Sequence, residues 1–304
     1  MKENNKSNIL NPVRKERDFL ILITRDMRKV AIQGVAGCFH DIAARQFFKE
    51  TGVETIACDT FKDLFATIKK DNSILGAVAI ENTIAGSLLP NHNMLKESGL
   101  TILGETKLRI EHNLVALPGQ KISDITEVLS HPMALMQCED FLSKYPNLKA
   151  VEAEDTAASA KYIAENKIMG KAAICSKLAA EIYGLEILAE GIETNKRNFT
   201  RFLIVADPWT AEDYLKDKTV DKASVVFTLP HDEGALAKVL SVLWFYHINL
   251  TKIQSLPIVG REWEYQFYIN LTFSNYLAYS QAMDAIRPFT KDLRVLGEYE
   301  EYKF

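Results

Sequence analysis

The sequence predicts an α/β protein: two small α/β lobes in series, followed by a separate C-terminal unit with the element order βαββαβ. Three observations support this prediction. Short apolar runs alternate with amphipathic segments from Lys29 onwards, with only short loops between them. The alternation starts afresh near residue 114. A charged, irregular stretch at 208–221 then precedes a different pattern.

The length of the chain fits several compact units. It has 304 residues, more than one ordinary core includes, and 47% of them are hydrophobic and 25% charged, as in globular proteins. We expect an N-terminal extension at 1–27, two lobes within 28–207, a linker at 208–221 and the C-terminal unit at 222–304. Lobe 1 is expected at about 28–106 and 200–207, and lobe 2 at about 107–199.

Charge and cysteine content argue against several classes of protein. The net charge of -4, without a large basic block, argues against nucleic-acid binding. No apolar run approaches the roughly 20 residues of a membrane-spanning helix. Residues 1–27 lack the pattern of a secretory signal. The four cysteines are dispersed, without a CxxC pair or zinc spacing, so we expect reduced thiols, a cytoplasmic location and no metal.

Lobe 1 is predicted from strand–helix alternation. Strands are expected at 30–32, 55–57 and 77–80, and helices at 41–50 and 60–70. In the second helix Phe61, Leu64, Phe65 and Ile68 recur at helical spacing. Such alternation with short loops predicts a parallel sheet covered on both faces.

Lobe 2 repeats the pattern. Strands are expected at 114–117, 127–129, 150–153 and 172–174, helices at 133–144, 157–166 and 177–183, and a last strand at 202–205. Asp155 or Thr156 should cap one helix and Gly184 should end another. Two such lobes in series resemble the type II fold of periplasmic binding proteins, in which the ligand site is the cleft between the lobes.

The C-terminal unit has a ferredoxin-like pattern. Strands are expected at 223–229, 249–258, 262–273 and 293–299, and helices at 234–246 and 275–287. In the third strand Tyr265, Phe267, Ile269, Leu271 and Phe273 share one face at period two. The unit is small, so we expect one sheet face to need a partner for cover.

Four loops contain the polar residues that could form a binding site. They follow predicted strands or lie at a strand junction, where parallel sheets bind ligands, and a loop that opens a helix favours an anion. The candidate binding and catalytic residues are Gly37, Cys38 and His40; Glu81, Asn82, Thr83, Gly86 and Ser87; Asp155, Thr156 and Ala157; and Asn198, Thr200, Arg201 and Phe202.

Each loop also has a purely structural interpretation. The glycines could form a tight strand–helix turn, Asp155 could be an N-cap, and Arg201 could be a solvated surface residue. The Lys-Ser/Thr of a P-loop is missing, as are the HExxH and GxSxG motifs. Together the loops indicate a cleft for a small anion, where Arg201 would suit a carboxylate.

Taken in order, these loops resemble the prephenate dehydratase family over about Lys29 to Tyr299. The matching residues are Gly34, Gly37, Phe39 and Ala43-Ala44; Glu81-Asn82-Thr83 with Gly86-Ser87; Ser130-His131-Pro132 with Gln137-Cys138; Asp155-Thr156-Ala157; and Asn198-Phe199-Thr200-Arg201-Phe202. Five motifs in one order are highly specific. Cys38 departs from the family, which usually has Ser or Thr at that position, and Met133 replaces a usual Gln.

The C-terminal unit resembles an ACT regulatory domain, through Gly234-Ala235-Leu236 and Ile248-Asn249-Leu250-Thr251-Lys252. The residues thereby implied to bind phenylalanine are Gly234, Ala235, Leu236, Asn249, Leu250, Gln254, Ser255, Leu256 and Pro257. The usual Glu-Ser-Arg-Pro is Gln-Ser-Leu-Pro at 254–257, so a carboxylate and a guanidinium are absent. Feedback by L-phenylalanine is therefore an open question.

The resemblance implies conversion of prephenate to phenylpyruvate, carbon dioxide and water without a metal or organic cofactor. It implies Thr200, Arg201 and Phe202 as catalytic: Arg201 would grip a carboxylate, and Thr200 would be an oriented donor at the leaving hydroxyl, with Glu81 or His40 assisting. It also implies a monofunctional enzyme that forms a dimer or tetramer through its ACT domains.

Two other functions stay open at this point. Arogenate dehydratase uses the same chemistry on an amino-bearing substrate. A non-enzymatic amino-acid or solute sensor could share the two-lobed fold, since a fold does not fix a function. Activity measurements would separate these alternatives.

Overall fold

The computed structural model describes residues 27–49, 52–258, 260–261 and 264–303. All but the last residue of the predicted N-terminal extension lies outside these ranges. Among the described residues, no helix is both long and apolar enough to cross a membrane.

Lobe 1 begins as a parallel sheet. Its strands and helices are β1 Arg28–Gln33, α1 Phe39–Phe47, β2 Val53–Cys58, α2 Phe61–Lys70, β3 Leu75–Asn82, β4 Gly86–Ser87, α3 Leu89–Ser98 and β5 Thr101–Arg109. β1 pairs with β2 and β3 in parallel, as the alternation predicts. β5 was not predicted, because Glu105, Lys107 and Arg109 interrupt its apolar pattern.

Lobe 2 is a mixed five-stranded sheet in the order β10-β6-β9-β7-β8. Its elements are β6 Asn113–Ala116, β7 Glu127–Ser130, α4 Pro132–Gln137, α5 Glu139–Leu142, β8 Lys149–Glu152, α6 Thr156–Glu165, β9 Lys171–Cys175, α7 Lys177–Tyr183 and β10 Glu186–Ala189, with a 3₁₀ turn at Ile122–Asp124. The helix expected at 133–144 is interrupted at Cys138, whose φ of -107° and ψ of 15° are not helical.

The chain then returns to lobe 1. β11, Phe199–Ala206, inserts antiparallel between β3 and β5, giving the order β2-β1-β3-β11-β5 with β4 beside β3. α8, Pro208–Leu215, follows at once. The prediction of an irregular linker is wrong for these eight residues. Asp207 caps the helix and Pro208 stands in its first turn, which together are a strong start signal.

The C-terminal unit has the predicted βαββαβ order. Its elements are β12 Lys222–Thr228, α9 Ala235–Phe245, β13 Asn249–Pro257, β14 Tyr265–Thr272, α10 Tyr276–Ile286, a 3₁₀ turn at Arg287–Phe289 and β15 Lys291–Tyr299. The sheet is antiparallel in the order β13-β14-β12-β15. The predicted α/β class and the ferredoxin-like topology are confirmed.

The second face of the C-terminal sheet packs on lobe 1 of the same chain. Val226, Leu256, Tyr268, Leu296 and Tyr299 share a buried apolar cluster with residues of lobe 1. β15 also runs beside β5, the edge strand of lobe 1. The cover that was expected from a partner is therefore supplied within the chain.

Candidate active site

The candidate site is centred on the hydroxyl of Thr200. Thr200 lies second in β11, opposite Asn82 at the end of β3, and both side chains are buried. Asn82 Nδ2 donates a hydrogen bond of 2.9 Å to Thr200 Oγ1. Since this bond uses a lone pair of the hydroxyl, the hydroxyl proton is left to donate elsewhere.

The orientation of the Asn82 amide is fixed by its other hydrogen bonds. Asn82 Oδ1 accepts from the backbone N–H groups of Ile84 at 2.9 Å and Ala85 at 2.8 Å. Asn82 Nδ2 also donates to Asn198 Oδ1 at 2.8 Å. The amide nitrogen therefore has to face Thr200, and the predicted residues Asn82, Asn198 and Thr200 form one connected group.

This group continues to two residues that were not among the predicted site residues. Asn198 Nδ2 donates to Gln137 Oε1 at 2.9 Å, and His112 Nε2 lies 3.0 Å from the same oxygen. The motif Gln137-Cys138 could have indicated Gln137. His112 stands in a short connection between lobes and belongs to no sequence motif used here, so only the structure reveals it. Burial lowers the pKa of His112.

The glycine loop brings the two lobes together. Gly37 has a φ of 84°, and a Cβ there would lie 2.6 Å from Cα of Ala179 at the start of α7. Ser176 Oγ donates to the Gly37 carbonyl at 2.6 Å. A Cβ at Gly34 would lie 3.0 Å from Asp155 Oδ2. The absence of a side chain at these positions therefore permits lobe contact.

The predicted residues Cys38 and His40 follow this loop and are uncharged at neutral pH. Burial raises the pKa of the Cys38 thiol to about 12. Enclosure of the imidazole lowers the pKa of His40 to about 4. The His40 ring contacts Phe202 edge-on at 5.1 Å, and its Nε2 accepts from Ala79 N at 3.4 Å. His40 is therefore a neutral acceptor that packs against Phe202, which shares a face of β11 with Thr200.

We expect the stability of the protein to fall as the pH is lowered from 6.5 towards 4. In this range an unfolded His40 binds a proton and the folded one does not, so the unfolded state gains protons and is favoured. Thermal unfolding followed across this range measures the slope. His40→Asn should flatten it, whereas His231→Asn, at an exposed imidazole, should not. A slope unchanged by His40→Asn would contradict the prediction.

The third predicted loop begins α6. Asp155 is its N-cap, and Asp155 Oδ1 accepts from Ala158 N at 2.7 Å. Burial raises the pKa of Asp155. Thr156 and Ala157 are buried in the first turn, where Ala157 joins the core shared by both lobes. This loop thus faces the glycine loop across the lobe contact, through Gly34.

The second predicted loop divides between two sides of lobe 1. Thr83 Oγ1 accepts from Phe199 N and donates to the Arg197 carbonyl, both at 2.9 Å, which ties the loop to the start of β11. Gly86 and Ser87 pair with Asn82 and Glu81 as β4. Glu81 and Ser87, however, both bind Lys252 of the C-terminal unit, at 2.9 and 2.8 Å.

The role predicted for Arg201, gripping a substrate carboxylate, stays a prediction, and Arg201 is not directed at the site around Thr200. Successive residues of a strand face opposite sides of the sheet, so Arg201 is directed away from Thr200 and Phe202. Its Nε donates to Glu105 Oε2 at 2.6 Å and its Nη2 to Tyr299 OH at 3.0 Å. Arg201 lies between lobe 1 and the C-terminal unit with its side chain 10% exposed.

The predicted phenylalanine-binding residues also divide between two faces. Ala235 and Leu236 line a cavity of about 160 Å³ with Phe267, and Gly234, with a φ of 73°, precedes α9. In β13, Ser255 is opposite Phe267, while Gln254 and Leu256 alternate onto the other face. Leu256 is buried against lobe 1. Gln254 and Leu256 therefore do not line this cavity, and their part in effector binding stays a prediction.

The remaining effector candidates lie elsewhere on β13. Asn249 Nδ2 donates to Thr272 Oγ1 at 3.3 Å, and Leu250 packs in the core of the C-terminal unit. Pro257 ends the strand opposite Tyr265, another residue of the cavity wall. Of the predicted set, the residues nearest the cavity are thus Gly234, Ala235, Leu236, Ser255 and Pro257.

Two larger cavities lie beside the candidate site. One, of about 730 Å³, runs between α1 and α7 and includes Phe39 and Ser176. The other, of about 580 Å³, separates lobe 1 from the C-terminal unit. Thr200 lines neither. Within the described part of the chain, no group of three or more His, Cys, Asp or Glu residues could hold a metal ion. All four cysteines are free and buried.

Comparison with known proteins gives consistent matches. The family model "Prephenate dehydratase" matches residues 30–209. The chain is 39% identical over 290 residues to arogenate dehydratase 5, chloroplastic, of Arabidopsis thaliana, covering 89% of this chain and 67% of that relative.

Two solved structures are similar over almost the whole chain. Prephenate dehydratase from Arthrobacter aurescens in complex with L-Phe is 29% identical with a TM-score of 0.79, covering 90% of each chain. GqqA, described as a novel type of quorum quenching acylase, is 30% identical with a TM-score of 0.80, covering 91% of this chain and 99% of its own. The family model covers more than half of the chain, which therefore belongs to the prephenate dehydratase family.

Proposed function

We propose that this chain catalyses the decarboxylating dehydration of prephenate to phenylpyruvate, a step of L-phenylalanine biosynthesis. The observation that carries the proposal is the Asn82–Thr200 hydrogen bond, in which the amide is locked as donor and the hydroxyl proton is left free. Such a donor suits a reaction in which hydroxide leaves a ring carbon. The family model supports prephenate as the substrate. The plant relative, of which the chain spans about two thirds, is an arogenate dehydratase and keeps arogenate as the alternative.

The chemistry needs no electrons from outside the substrate. The ring carboxylate leaves as carbon dioxide, the electron pair of the broken C–C bond moves into the ring, and the ring hydroxyl leaves as hydroxide. The products of the prephenate dianion are phenylpyruvate, carbon dioxide and hydroxide, which takes a proton to become water. Formation of the aromatic ring drives the step, and Thr200 donates a hydrogen bond to the departing oxygen.

Substrate orientation falls to other groups, because Arg201 is engaged elsewhere. α1 and α6 begin on either side of the lobe contact, but Asp155 already accepts from the first-turn N–H groups of α6. In α1 the N–H groups of His40 and Asp41 are directed at the Cys38 sulfur, so neither helix start is left to bind an anion. The Gln137 oxygen already has Asn198 and His112 as partners, so its amide N–H groups are directed away from them. We assign Gln137 to substrate binding beside Thr200.

The experiment that tests the function is a turnover assay that follows phenylpyruvate formation from prephenate, with arogenate assayed beside it. We expect a higher kcat/KM for prephenate. Phenylalanine formed from arogenate at a higher kcat/KM would replace prephenate by arogenate as the substrate. Folded protein that turns over neither compound would favour a sensor that binds without catalysis.

The acylase named for one similar structure is not favoured by this site. Amide hydrolysis by a side-chain nucleophile requires a general base within hydrogen-bond reach. The Thr200 hydroxyl contacts the Asn82 amide, and the Cys38 thiol contacts the Gln33 carbonyl at 3.5 Å. Neither partner is a base, so the geometry supports elimination over acyl transfer.

We further propose that L-phenylalanine binds the C-terminal unit in the cavity beside Ala235 and Leu236, and that the unit associates with a second copy of the chain. Trp244 and Phe245 at the end of α9 are 76% and 70% exposed, which supports self-association. A phenylalanine titration of turnover tests the binding, and light scattering at micromolar concentration tests the self-association.

Buried free thiols support a cytoplasmic location.

A further inference from the structure

The interface between lobe 1 and the C-terminal unit contains a buried group of charges. Glu105 on β5 is central, with a fully buried side chain. Its two oxygens bind different units: Oε2 accepts from Arg201 Nε of lobe 1 at 2.6 Å, and Oε1 accepts from Lys222 Nζ of the C-terminal unit at 2.7 Å. One carboxylate thus joins the strand of Thr200 to β12.

Further hydrogen bonds extend this connection into the C-terminal sheet. Arg201 Nη2 donates to Tyr299 OH at 3.0 Å, and that hydroxyl lies 2.7 Å from Ser224 Oγ. Tyr302 N donates to Glu105 Oε1 at 3.2 Å. Burial alone would raise the pKa of Glu105, but Arg201 and Lys222 outweigh it and hold the pKa below its ordinary value. Glu105 therefore stays charged.

A second charged contact lies beside Asn82, the hydrogen-bond partner of Thr200. Lys252 of β13 binds Glu81 at 2.9 Å, and Glu81 immediately precedes Asn82. The group as a whole is balanced, with three carboxylates, Glu81, Glu105 and Glu301, and three cations, Arg201, Lys222 and Lys252. Glu81, which precedes Asn82, and Arg201, which follows Thr200, are thus both bound by the C-terminal unit.

We propose that Glu105, Arg201 and Lys222 are positioning residues through which the C-terminal unit sets the place of the Thr200 hydroxyl. The proposal rests on the proposed function and names the route of its regulation. A ligand that shifts the C-terminal sheet displaces Lys222 and Tyr299, and Arg201 follows in β11. Thr200 precedes Arg201 in the chain, so its 2.9 Å bond to Asn82 changes with it. A displacement of about 1 Å in a catalytic group costs roughly 100-fold in rate.

The test uses charge balance in the full-length protein. Glu105→Gln removes the nearest carboxylate from both Arg201 and Lys222 and leaves one excess positive charge in a buried site, so Arg201 shifts towards Glu81, its remaining carboxylate. We expect kcat for prephenate, per folded molecule, to fall roughly 10- to 100-fold with KM little changed. Lys222→Met should have a smaller effect. The double variant Glu105→Gln/Lys222→Met removes one charge of each sign and should recover part of the lost kcat.

The control is Lys303→Met, which removes an exposed ion pair with Asp221 in the same unit and should leave kcat unchanged. A double variant as slow as, or slower than, the Glu105→Gln single variant would overturn the proposal, as would wild-type kcat in that single variant. If Glu105→Gln does not fold, Lys222→Met decides, because unchanged kcat and unchanged exchange in that variant also overturn it.

Amide hydrogen exchange separates this proposal from the proposed function. Peptides that cover 199–206 should exchange faster in Glu105→Gln and return towards wild type in the double variant, and this readout needs no substrate. If the wild-type protein lacks turnover but the variants show this exchange pattern, the proposed function is contradicted and the coupling stands. If the wild-type protein turns over prephenate but the variants do not show the pattern, the coupling is contradicted and the proposed function stands.

Discussion

Thr200→Ala is expected to lower kcat for prephenate by roughly 100- to 10,000-fold, the range that one oriented donor or acid contributes. The loss should appear in kcat more than in KM, because the hydrogen bond to the departing oxygen strengthens only as charge develops on it. The assay is steady-state formation of phenylpyruvate.

The fold should tolerate this substitution. Asn82 Nδ2 keeps Asn198 Oδ1 as an acceptor when Thr200 Oγ1 is removed, so the amide is not left without a partner. We expect a loss of about 1 kcal/mol in the free energy of unfolding. Thr200→Ser is the matched control: it keeps the oxygen and should retain most of the activity. Near-normal turnover by the Ala variant would remove Thr200 from the mechanism.

Much of the fold could be predicted because its signals are local. Apolar runs of three or four residues, in alternation with helical periods, indicated the parallel strands β1 to β3. β5 escaped because its charged side chains break the apolar pattern. Glu105, one of these charges, is not solvated: it faces the C-terminal unit and is neutralised there. When a charged residue of a strand is neutralised by a segment far away in the sequence, the neighbouring residues do not indicate the strand.

The candidate site shows the same limit. Asn82, Asn198 and Thr200 were predicted from their loops, and hydrogen bonds bring them together. The last strand is predicted to begin at Phe202, so the sequence alone does not assign Thr200 and Arg201 to faces of the sheet. Since β11 begins at Phe199, Thr200 and Arg201 lie on opposite faces. A shift of three residues in a strand boundary thus decides which of the two side chains faces the candidate site.

Regulation by the C-terminal unit depends on how the unit contacts lobe 1. Leu256 stands where the family usually has Arg, and in this chain it is an apolar contact between the unit and lobe 1. Leu256 therefore belongs to the docking surface, whereas the lining of the cavity beside Ala235 does not include it. Loss of the guanidinium does not by itself argue against effector binding. It places more of the coupling on the contacts that remain at the interface.

One of these contacts is at Gly297 of β15. A Cβ there would lie 2.5 Å from the Ile102 carbonyl oxygen and 2.6 Å from Ile102 Cβ, so β15 could not keep its place beside β5. Both obstacles are close to backbone, and neither can move aside as a flexible side chain could. Gly297→Ala should therefore lower the free energy of unfolding by about 1–3 kcal/mol, as overpacking does.

Chemical denaturation measures that loss, and Val295→Ala is the control. Val295 lies two residues away on the same strand and is 44% exposed, so its truncation should cost under about 0.5 kcal/mol. Gly297→Ala should also reduce kcat, because displacement of β15 carries Tyr299 away from Arg201. Wild-type stability with reduced turnover would show that the strands separate without loss of fold. Wild-type values of both would mean that β15 does not approach β5 this closely, and the charged interface would then lose its geometric basis.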